Sequence, residues 1–427
     1  MTGALPFLKI DWGIEDPALI GWITSILMLG AIFGGILAGQ LSDKYGRRKV
    51  ILISSFVFAI GAIMGAVSPN LMIAWLLASR ILLGLGVGAA SALVPSYMSE
   101  MAPANKRGAL SGLNQLMIVS GMLLSYVVDF ALQGLPNNIS WRLMLGLAAV
   151  PAIILLLGVL RLPESPRYLI KKGKLDEARQ VLSYIREKFE VEAELQDINK
   201  TATKENKARA QIKFRFMFSS KYRYLVIAGV SVAFLQQIMG ANAIFYYIPL
   251  IVEEATGQAA ANALLWPVIQ GAILVAGALF FLIIADKFKR KTLIIMGGAI
   301  MACSFLMPAI LNVIMGEAFP QVLVILFLSI YVAFYSFTWA PLTWVIVGEI
   351  FPLGIRGRAS GVASSMNWLG SFAVGLLFPI MSAAMNQNIV FAIFGIICII
   401  AILFVKFRVP ETKGISLEEI EKKGIRG

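Results

Sequence analysis

The stretch SEMAPANKRGALSG at residues 99–112 returns in altered form as GEIFPLGIRGRASG at residues 348–361. The Glu, Pro, Arg, Gly and Ser positions recur at the same spacing, with an offset of 249 residues. Two shorter repeats follow the same order: DKYGRRK at 43–49 with DKFKRK at 286–291, and PES at 163–165 with PET at 410–412. A chain built from two similar halves is expected to carry its function between them.

Composition indicates a membrane protein. The 427 residues are 59% apolar and only 14% charged, with a mean hydropathy of +0.81. A soluble protein of this length could not bury so much apolar side chain. Apolar runs of about twenty residues predict membrane-spanning helices, and the alternation typical of a membrane barrel is absent. Eleven spans are expected, at residues 19–40, 50–67, 71–93, 108–130, 142–161, 222–250, 264–285, 292–314, 320–347, 359–384 and 388–406.

The charged loops predict an orientation. Lys and Arg concentrate in the loops at 41–49, 99–107, 286–291 and 349–358, whereas the alternate loops contain neither. The positive-inside rule therefore places these loops and the C-terminus in the cytoplasm of a multi-pass cell-membrane protein. The net charge of +13 is accounted for by this arrangement, so no nucleic-acid partner is expected.

The polarity of the chain predicts four parts. Residues 1–163 form a first helical bundle, 164–221 a Lys/Glu-rich linker with short helices, 222–408 a second bundle, and 409–427 a tail. Residues 174–188 carry opposite charges at helical spacing. The linker is interpreted as a solvated tether on the cytoplasmic side of the bilayer.

Several function classes are excluded. The chain has no histidine, and Cys303 and Cys398 lie in apolar runs without metal-type spacing. No nucleophile–base arrangement or nucleotide-binding loop is present. We therefore expect no enzymatic activity, no metal and no cofactor.

The first half is shorter than the second at its front end. Residues 223–286 number 64, but only 43 residues run from Met1 to Asp43. The difference is about one membrane-spanning helix. Residues 1–10 are expected to be the tail of a first helix, most of which would lie upstream of Met1.

These motifs together resemble the sugar porters of the major facilitator superfamily, over nearly the whole chain. The resemblance rests on GQLSD at 39–43, PESPR at 163–167, the Gln pair at 236–237 before Asn242, EIFP at 349–352 and PETKG at 410–414. It implies an all-α fold of two pseudo-symmetric bundles around a central path, with eleven of twelve helices visible. It also implies a secondary active transporter of a monosaccharide or polyol.

The resemblance implies which residues contact sugar. They are Gln115, Gln236, Gln237, Asn242, Trp344, Asn367 and Trp368. A sugar offers many hydroxyls and no charge, so amides and aromatic faces suit it. The alternative for the glutamines is hydrogen bonding between helices, and the alternative for the tryptophans is the interfacial aromatic belt.

Three further positions are left open by the sequence. Tyr246 and Tyr247 either form an outer gate or simply pack. In the eighth helix, the asparagine that the family usually carries is replaced by Leu274, with Gln270 one turn earlier. Whether Gln270 substitutes for it is not decided by the sequence.

Charged residues at the cytoplasmic loops are expected to form gating ion pairs. The first half contributes Asp43, Arg47, Arg48, Glu100, Arg107 and Glu164, and the second half contributes Asp286, Arg290, Glu349, Arg356 and Glu411. The orientation of the chain in the membrane would explain the Lys and Arg residues, but Asp and Glu contribute little to orientation. In the family such pairs close the cytoplasmic side. Lys289 replaces the glycine seen at Gly46, and costs about 1 kcal/mol if that turn needs a positive φ.

Arg80 lies deep in the span 71–93, where a charge is a functional-site hypothesis. In proton-coupled sugar porters, the arginine at this position pairs with an aspartate on the first helix. Either that aspartate lies on a first helix upstream of Met1, which we favour, or this chain lacks the coupling carboxylate. The first alternative favours proton symport over uniport. The alternatives are a sugar uniporter, a carrier of another small organic solute, and a transporter-like nutrient sensor.

Overall fold

The computed structural model describes residues 1–102, 107–187, 189, 191–196, 198–199, 219, 222–257, 259, 263–285, 287–320, 322–352 and 355–413. Within residues 107–112 and at 317 it describes the backbone alone.

The first half and the start of the linker contain nine helices in the described residues. They are α1 Ala4–Trp12, α2 Pro17–Tyr45, α3 Arg47–Ala66, α4 Ile73–Met101, α5 Arg107–Leu132, α6 Asn137–Gly146, α7 Ala149–Leu160, α8 Pro166–Lys171 and α9 Leu175–Ile185. Asp16 caps α2, because its carboxylate accepts a hydrogen bond from the Ala18 amide at 2.9 Å.

The second half has eight α-helices in its described part. They are α10 Arg223–Ile238, α11 Ala241–Thr256, α12 Leu265–Ile284, α13 Arg290–Met315, α14 Val322–Phe337, α15 Trp339–Ile350, α16 Arg356–Ala384 and α17 Gln387–Arg408. Eleven segments of the described chain are long and apolar enough to cross a membrane, as the sequence predicted.

Three of the predicted spans are broken helices. The span at 222–250 divides into α10 and α11 at Gly240, whose φ of +95° suits glycine. A Cβ there would also lie 2.9 Å from the Phe394 ring. The spans at 142–161 and 320–347 also divide, at residues 147–148 and at Thr338, but without a positive φ. Breaks at membrane depth free backbone groups, and these need partners from neighbouring side chains.

The helix α1 occupies the region expected to be a helix tail. It packs against α6, and Trp12 meets Trp141 edge to face with ring centroids 5.4 Å apart. Leu5, Phe7 and Leu8 are buried in the main core.

The linker forms a small core of its own beside the end of α4. Leu169, Leu182 and Val191 belong to that core, and Met101 packs against it. Lys174 donates to Glu177 at 2.7 Å, and this bond raises the pKa of the Lys174 ammonium. The helical charge pairing expected for this segment is therefore present.

Two ends of the bundle are distinguished below. The end carrying Asp43, Glu164 and Glu349 is called the linker side, and the end carrying Trp12, Asn70 and Leu132 is called the far side. The two halves approach closely on the far side, where a Cβ at Gly21 of α2 would lie 2.5 Å from the Leu376 carbonyl of α16. Close backbone approach of this kind is typical of helix packing in membranes.

Candidate functional site

A cluster of amide side chains forms where α10, α15 and α16 meet. Gln236 donates through Nε2 to the carbonyls of Trp339 and Ala340, at 3.0 and 3.1 Å. These carbonyls lie in the first turn of α15, just after the break at Thr338. Gln236 thus connects two helices of the second half at a break, which accounts for its full burial.

Asn367 on α16 is the centre of this amide cluster. Its Nδ2 donates to Gln236 Oε1 at 2.7 Å and to the Ala233 carbonyl at 2.8 Å. Its Oδ1 accepts from Gln237 Nε2 at 3.1 Å. The two adjacent glutamines, which leave α10 in different directions, therefore bind opposite ends of one asparagine amide.

Asn242 and Ser371 extend the amide cluster across the break at Gly240. Asn242 Nδ2 donates to Gln237 Oε1 and to Ser371 Oγ, both at 2.6 Å. The structure therefore brings together four residues that the sequence proposed separately. Ser371 was missed, although it follows Asn367 by four residues and so lies on the same helix face.

Gln237 differs from the other amides of the cluster in its exposure. Gln236, Asn242 and Asn367 are buried, whereas Gln237 is partly exposed. An amide can make four hydrogen bonds, and two are described for the Gln237 side chain. One N–H and one lone pair of the Gln237 amide thus have no described partner.

The two tryptophans lie next to the cluster along their helices. Trp344 is 41% exposed and lies four residues after Ala340, on the same face of α15. Gly348 lies four residues further along the same face of α15, and a Cβ there would meet nothing within 4 Å, so this face borders open space. Trp368 follows Asn367 and is half-buried.

Gln115 and Gln270 lie apart from the amide cluster. Gln115 is half-buried on α5 of the first half, and no described hydrogen bond joins it to the cluster. Gln270 is 1% exposed, and its Nε2 has no hydrogen-bond partner among the described residues. Leu274, one turn on, is packed in the apolar core.

Arg80 is buried inside the first half. Its Nη2 donates to the Thr24 carbonyl of α2 at 3.0 Å, and its Nε has no partner in the described part of the chain. Asp129 on α5 accepts from the Gly3 amide at 3.2 Å. A buried guanidinium with an unused donor is costly, which favours a functional reason for its position.

The linker side of the first half carries a charged network. Glu164 accepts from the backbone amides of Arg47 and Arg48 at 2.9 and 3.1 Å, so its carboxylate caps the N-terminus of α3. The Arg47 guanidinium lies 3.3 Å from Glu100 and 3.5 Å from Asp43. Arg48 instead donates to the carbonyls of Val159 and Leu160 at the end of α7, at 3.2 and 2.6 Å.

The second half repeats this network with the corresponding residues. Glu411 accepts from the backbone amides of Arg290 and Lys291 at 3.0 and 3.1 Å, and so caps α13. Arg290 lies 3.8 Å from Glu349, and Thr412 donates to Glu349 at 2.5 Å. In the first half, Ser165 donates to Glu100 in the same way.

Each of these contacts stays within its own half of the chain. Arg356 donates to the Phe351 carbonyl at 3.0 Å, in the loop before its own helix. Asp286 and the side chain of Arg107 lie outside the described residues.

Comparison with known proteins decides the family. The family model for "Sugar (and other) transporter" matches residues 12–423. The chain belongs to this sugar transporter family. The D-xylose transporter of Levilactobacillus brevis is 40% identical over 425 residues, which cover 99% of this chain and 90% of that protein. The predicted family is therefore confirmed.

Solved structures of a relative share the transporter's fold. The inward open conformation of the xylose transporter XylE from E. coli matches with a TM-score of 0.84 and 28% identity, covering 99% of this chain and 94% of that one. The proton:xylose symporter XylE bound to 6-bromo-6-deoxy-D-glucose matches with a TM-score of 0.79 and 30% identity, with the same coverage. The predicted major facilitator fold is confirmed.

The transporter builds the two equivalent linker-side turns differently. Gly46 has a φ of +98°, and a Cβ there would lie 2.1 Å from Glu164 Oε2. Lys289, at the matching position, has a φ of −66° and ψ of 138°. The second turn therefore does not need a positive φ, and the strain considered for Lys289 is absent because its backbone is extended.

We expect opposite outcomes when these two residues are exchanged. Gly46→Lys should lower the melting temperature of the purified transporter by about 5 °C, since it strains the backbone and displaces the Glu164 cap. The matched control Lys289→Gly should change it by less than about 1 °C. Thermal unfolding by intrinsic fluorescence in detergent measures both. Equal losses in the two variants would contradict the asymmetry.

A second charged cluster, on the far side, was not anticipated from the sequence. Asp11 accepts from Trp141 Nε1 at 2.9 Å and from Arg142 Nη1 at 3.3 Å. Arg142 also donates to Asn70 Oδ1 at 2.6 Å, and its guanidinium lies 4.1 Å from the Trp141 ring centroid. This cluster fastens the end of α1 to α6 and to the loop before α4. Arg142 is a cation at the far-side start of the predicted span 142–161, and that was the available signal.

Proposed function

We propose that this transporter carries a monosaccharide, a pentose or hexose, or a polyol across the cell membrane by alternating access, coupled to protons. The observation that carries the proposal is the amide cluster of Gln236, Gln237, Asn242 and Asn367. It combines a rigid buried base with one partly exposed amide, which suits hydroxyl recognition. The relatives named for D-xylose and the glucose derivative bound to XylE support a sugar of this size.

The proposed sugar site lies between the halves. Gln237 and Asn242 offer amide donors and acceptors, Gln236 and Asn367 hold them in place, and Trp344 and Trp368 offer aromatic faces. Gln115 would complete the site from the first half when the halves close on the sugar. The buried Gln270 amide would join it through its unused N–H.

We assign residues 1–163 and 222–408 to the two moving bundles, with residues 164–221 as the linker and 409–427 as the tail. The positive loops support a cytoplasmic location for the linker side and the C-terminus. The two linker-side networks stiffen the ends of their own bundles, which suits rigid-body movement. As gating pairs, Arg47 with Glu100 and Arg290 with Glu349 would add contacts between the bundles in the outward-facing state.

Proton coupling is proposed for Arg80. A buried cation lowers the free-energy cost of ionising a nearby carboxylate. Protonation of that carboxylate would remove its attraction to Arg80, and the change in charge could control the movement of the two bundles. A uniporter is the second candidate, and the two differ in whether a pH gradient drives accumulation.

The test is uptake of labelled D-xylose and D-glucose by the reconstituted transporter, with and without an inward proton gradient. We expect saturable uptake of at least one sugar and accumulation only with the gradient. Counterflow without gradient-driven accumulation would indicate a uniporter. No saturable uptake and no binding of any pentose, hexose or polyol would overturn the sugar assignment in favour of another solute or a sensor. Protein-free liposomes are the control.

A further inference from the structure

Thr24 connects the buried arginine of the first half to the second half. It lies on α2, is 1% exposed, and uses its two polar groups on different partners. Its backbone carbonyl accepts from Arg80 Nη2 at 3.0 Å, and its hydroxyl shares a short hydrogen bond with the Tyr247 hydroxyl of α11. One residue therefore contacts both the internal cation and the opposite bundle.

Tyr247 is held firmly on the other side of this contact. Its side chain is fully buried, its hydroxyl donates to the Gly375 carbonyl of α16 at 2.6 Å, and its ring stacks on Phe378 at 5.1 Å. The Thr24 hydroxyl is itself 3.4 Å from the Gly375 carbonyl. A single group of two hydroxyls and one carbonyl thus bridges α2, α11 and α16.

The backbones around this group are in close contact. A Cβ at Gly375 would lie 3.1 Å from the Ser25 Cβ, and one at Gly21 would lie 2.5 Å from the Leu376 carbonyl. Because α2 and α16 are already in contact, any separation of the two halves on the far side would pull the Thr24 and Tyr247 hydroxyls apart. Opening of the far side must therefore break the bond between them.

Arg80 has hydrogen-bonding capacity that this arrangement does not use. The guanidinium carries five N–H donors, and its buried Nε has no partner among the described residues. An acceptor that approaches it, such as a carboxylate or a sugar hydroxyl, would compete with the Thr24 carbonyl. Hydrogen bonds to charged groups are stronger than those between neutral groups. Loss of the bond from Arg80 to the Thr24 carbonyl would therefore shift the turn of α2 that contains Thr24.

We propose that Thr24 is a positioning residue that links the hydrogen-bonding state of Arg80 to closure of the far side. While Arg80 holds the Thr24 carbonyl, the Thr24 hydroxyl is aligned with Tyr247 and the far side is closed. When Arg80 turns to another acceptor, this alignment is lost and the far side opens more readily. The inference rests on the alternating-access mechanism proposed above and adds a residue to it.

The first measurement uses spin labels on the far side. Val67 and Ala384 are exposed at the ends of α3 and α16, in different halves, and carry the labels after Cys303→Ser and Cys398→Ala. Thr24→Val removes the hydroxyl at constant shape and should raise the ratio of far-side-open to closed molecules about fivefold, as expected for one hydrogen bond. Tyr247→Phe should do the same, and Thr24→Ser should leave the ratio within about twofold of wild type.

The decisive measurement is a double-mutant cycle with Arg80. Arg80→Gln should raise the open fraction in the wild-type background but add less than about twofold in the Thr24→Val background. A purely structural role for Thr24 predicts that the two effects multiply, and that result would overturn the proposal. An unchanged distance distribution in Thr24→Val would also overturn it. If Thr24→Val aggregates, Tyr247→Phe replaces it in the same cycle.

The spin-label distances depend on neither the sugar nor a proton gradient. If sugar uptake fails but the effects of the Arg80 and Thr24 substitutions are still non-additive, the proposed substrate is refuted and the proposed role of Thr24 is supported. Normal uptake with fully additive effects would refute the link alone.

Discussion

Gln237→Leu should raise the KM for sugar uptake about thirtyfold, because it removes two hydrogen bonds of about 1 kcal/mol each from the proposed site. Gln237 is the partly exposed member of the amide cluster, and it connects Asn242 to Asn367. The maximal rate should change much less, since the described hydrogen bonds of the Gln237 side chain stay within the second bundle and none joins the two bundles. Concentration-dependent uptake into proteoliposomes measures both constants.

The control for this prediction is Asn138→Ala, an exposed amide on the far side, which should leave KM unchanged. The competing interpretation, in which Gln237 only joins helices, predicts a loss of thermal stability without a change in affinity. Normal KM in a Gln237→Leu protein with a lowered melting temperature would therefore remove Gln237 from the sugar site.

Arg80→Leu should abolish proton-driven accumulation while leaving sugar exchange. One proton moved with each sugar can sustain about a tenfold concentration ratio per pH unit, because each pH unit is worth 1.36 kcal/mol. We expect the wild-type transporter to approach this ratio and Arg80→Leu to reach only equal concentrations inside and outside. Internal and external labelled sugar, measured at several imposed pH gradients, gives the ratio.

Counterflow is the control in this experiment, since it needs binding and movement of the bundles but no proton gradient. Arg80→Leu should retain counterflow at a rate within about tenfold of wild type. Arg80→Lys keeps the charge without the planar fork and should give partial accumulation. Full accumulation in Arg80→Leu would exclude Arg80 from coupling.

Many local features were predictable from the sequence, because each follows from a local physical demand. A bilayer requires long apolar helices, and the eleven spans follow from that requirement. The repeats also predicted ion pairs among the charged residues on the linker side, but not which residue would pair with which. The amides Gln236 and Gln237 stood out because an amide in an apolar span needs a partner.

Other features could not be predicted from local patterns. The hydropathy of residues 222–250 gives one span, yet the chain divides at Gly240, where φ is +95° and a Cβ would lie 2.9 Å from the Phe394 ring. The identities of Glu164 and Glu411 suggested ion pairs, but both accept backbone amides at helix N-termini. The carboxylate finds these amides only once the helices are assembled.

The sequence by itself determined the family, the helical fold and the two-fold repeat, because hydrophobic period, loop charge and repeated motifs can be recognised along the chain without knowing which helices pack together. Only the tertiary structure decided which distant groups meet. Thr24 and Tyr247 are 223 residues apart, and Gln237 and Asn367 are 130 apart. Such contacts depend on the relative placement of whole helices, which packing of many side chains fixes together and no local pattern encodes.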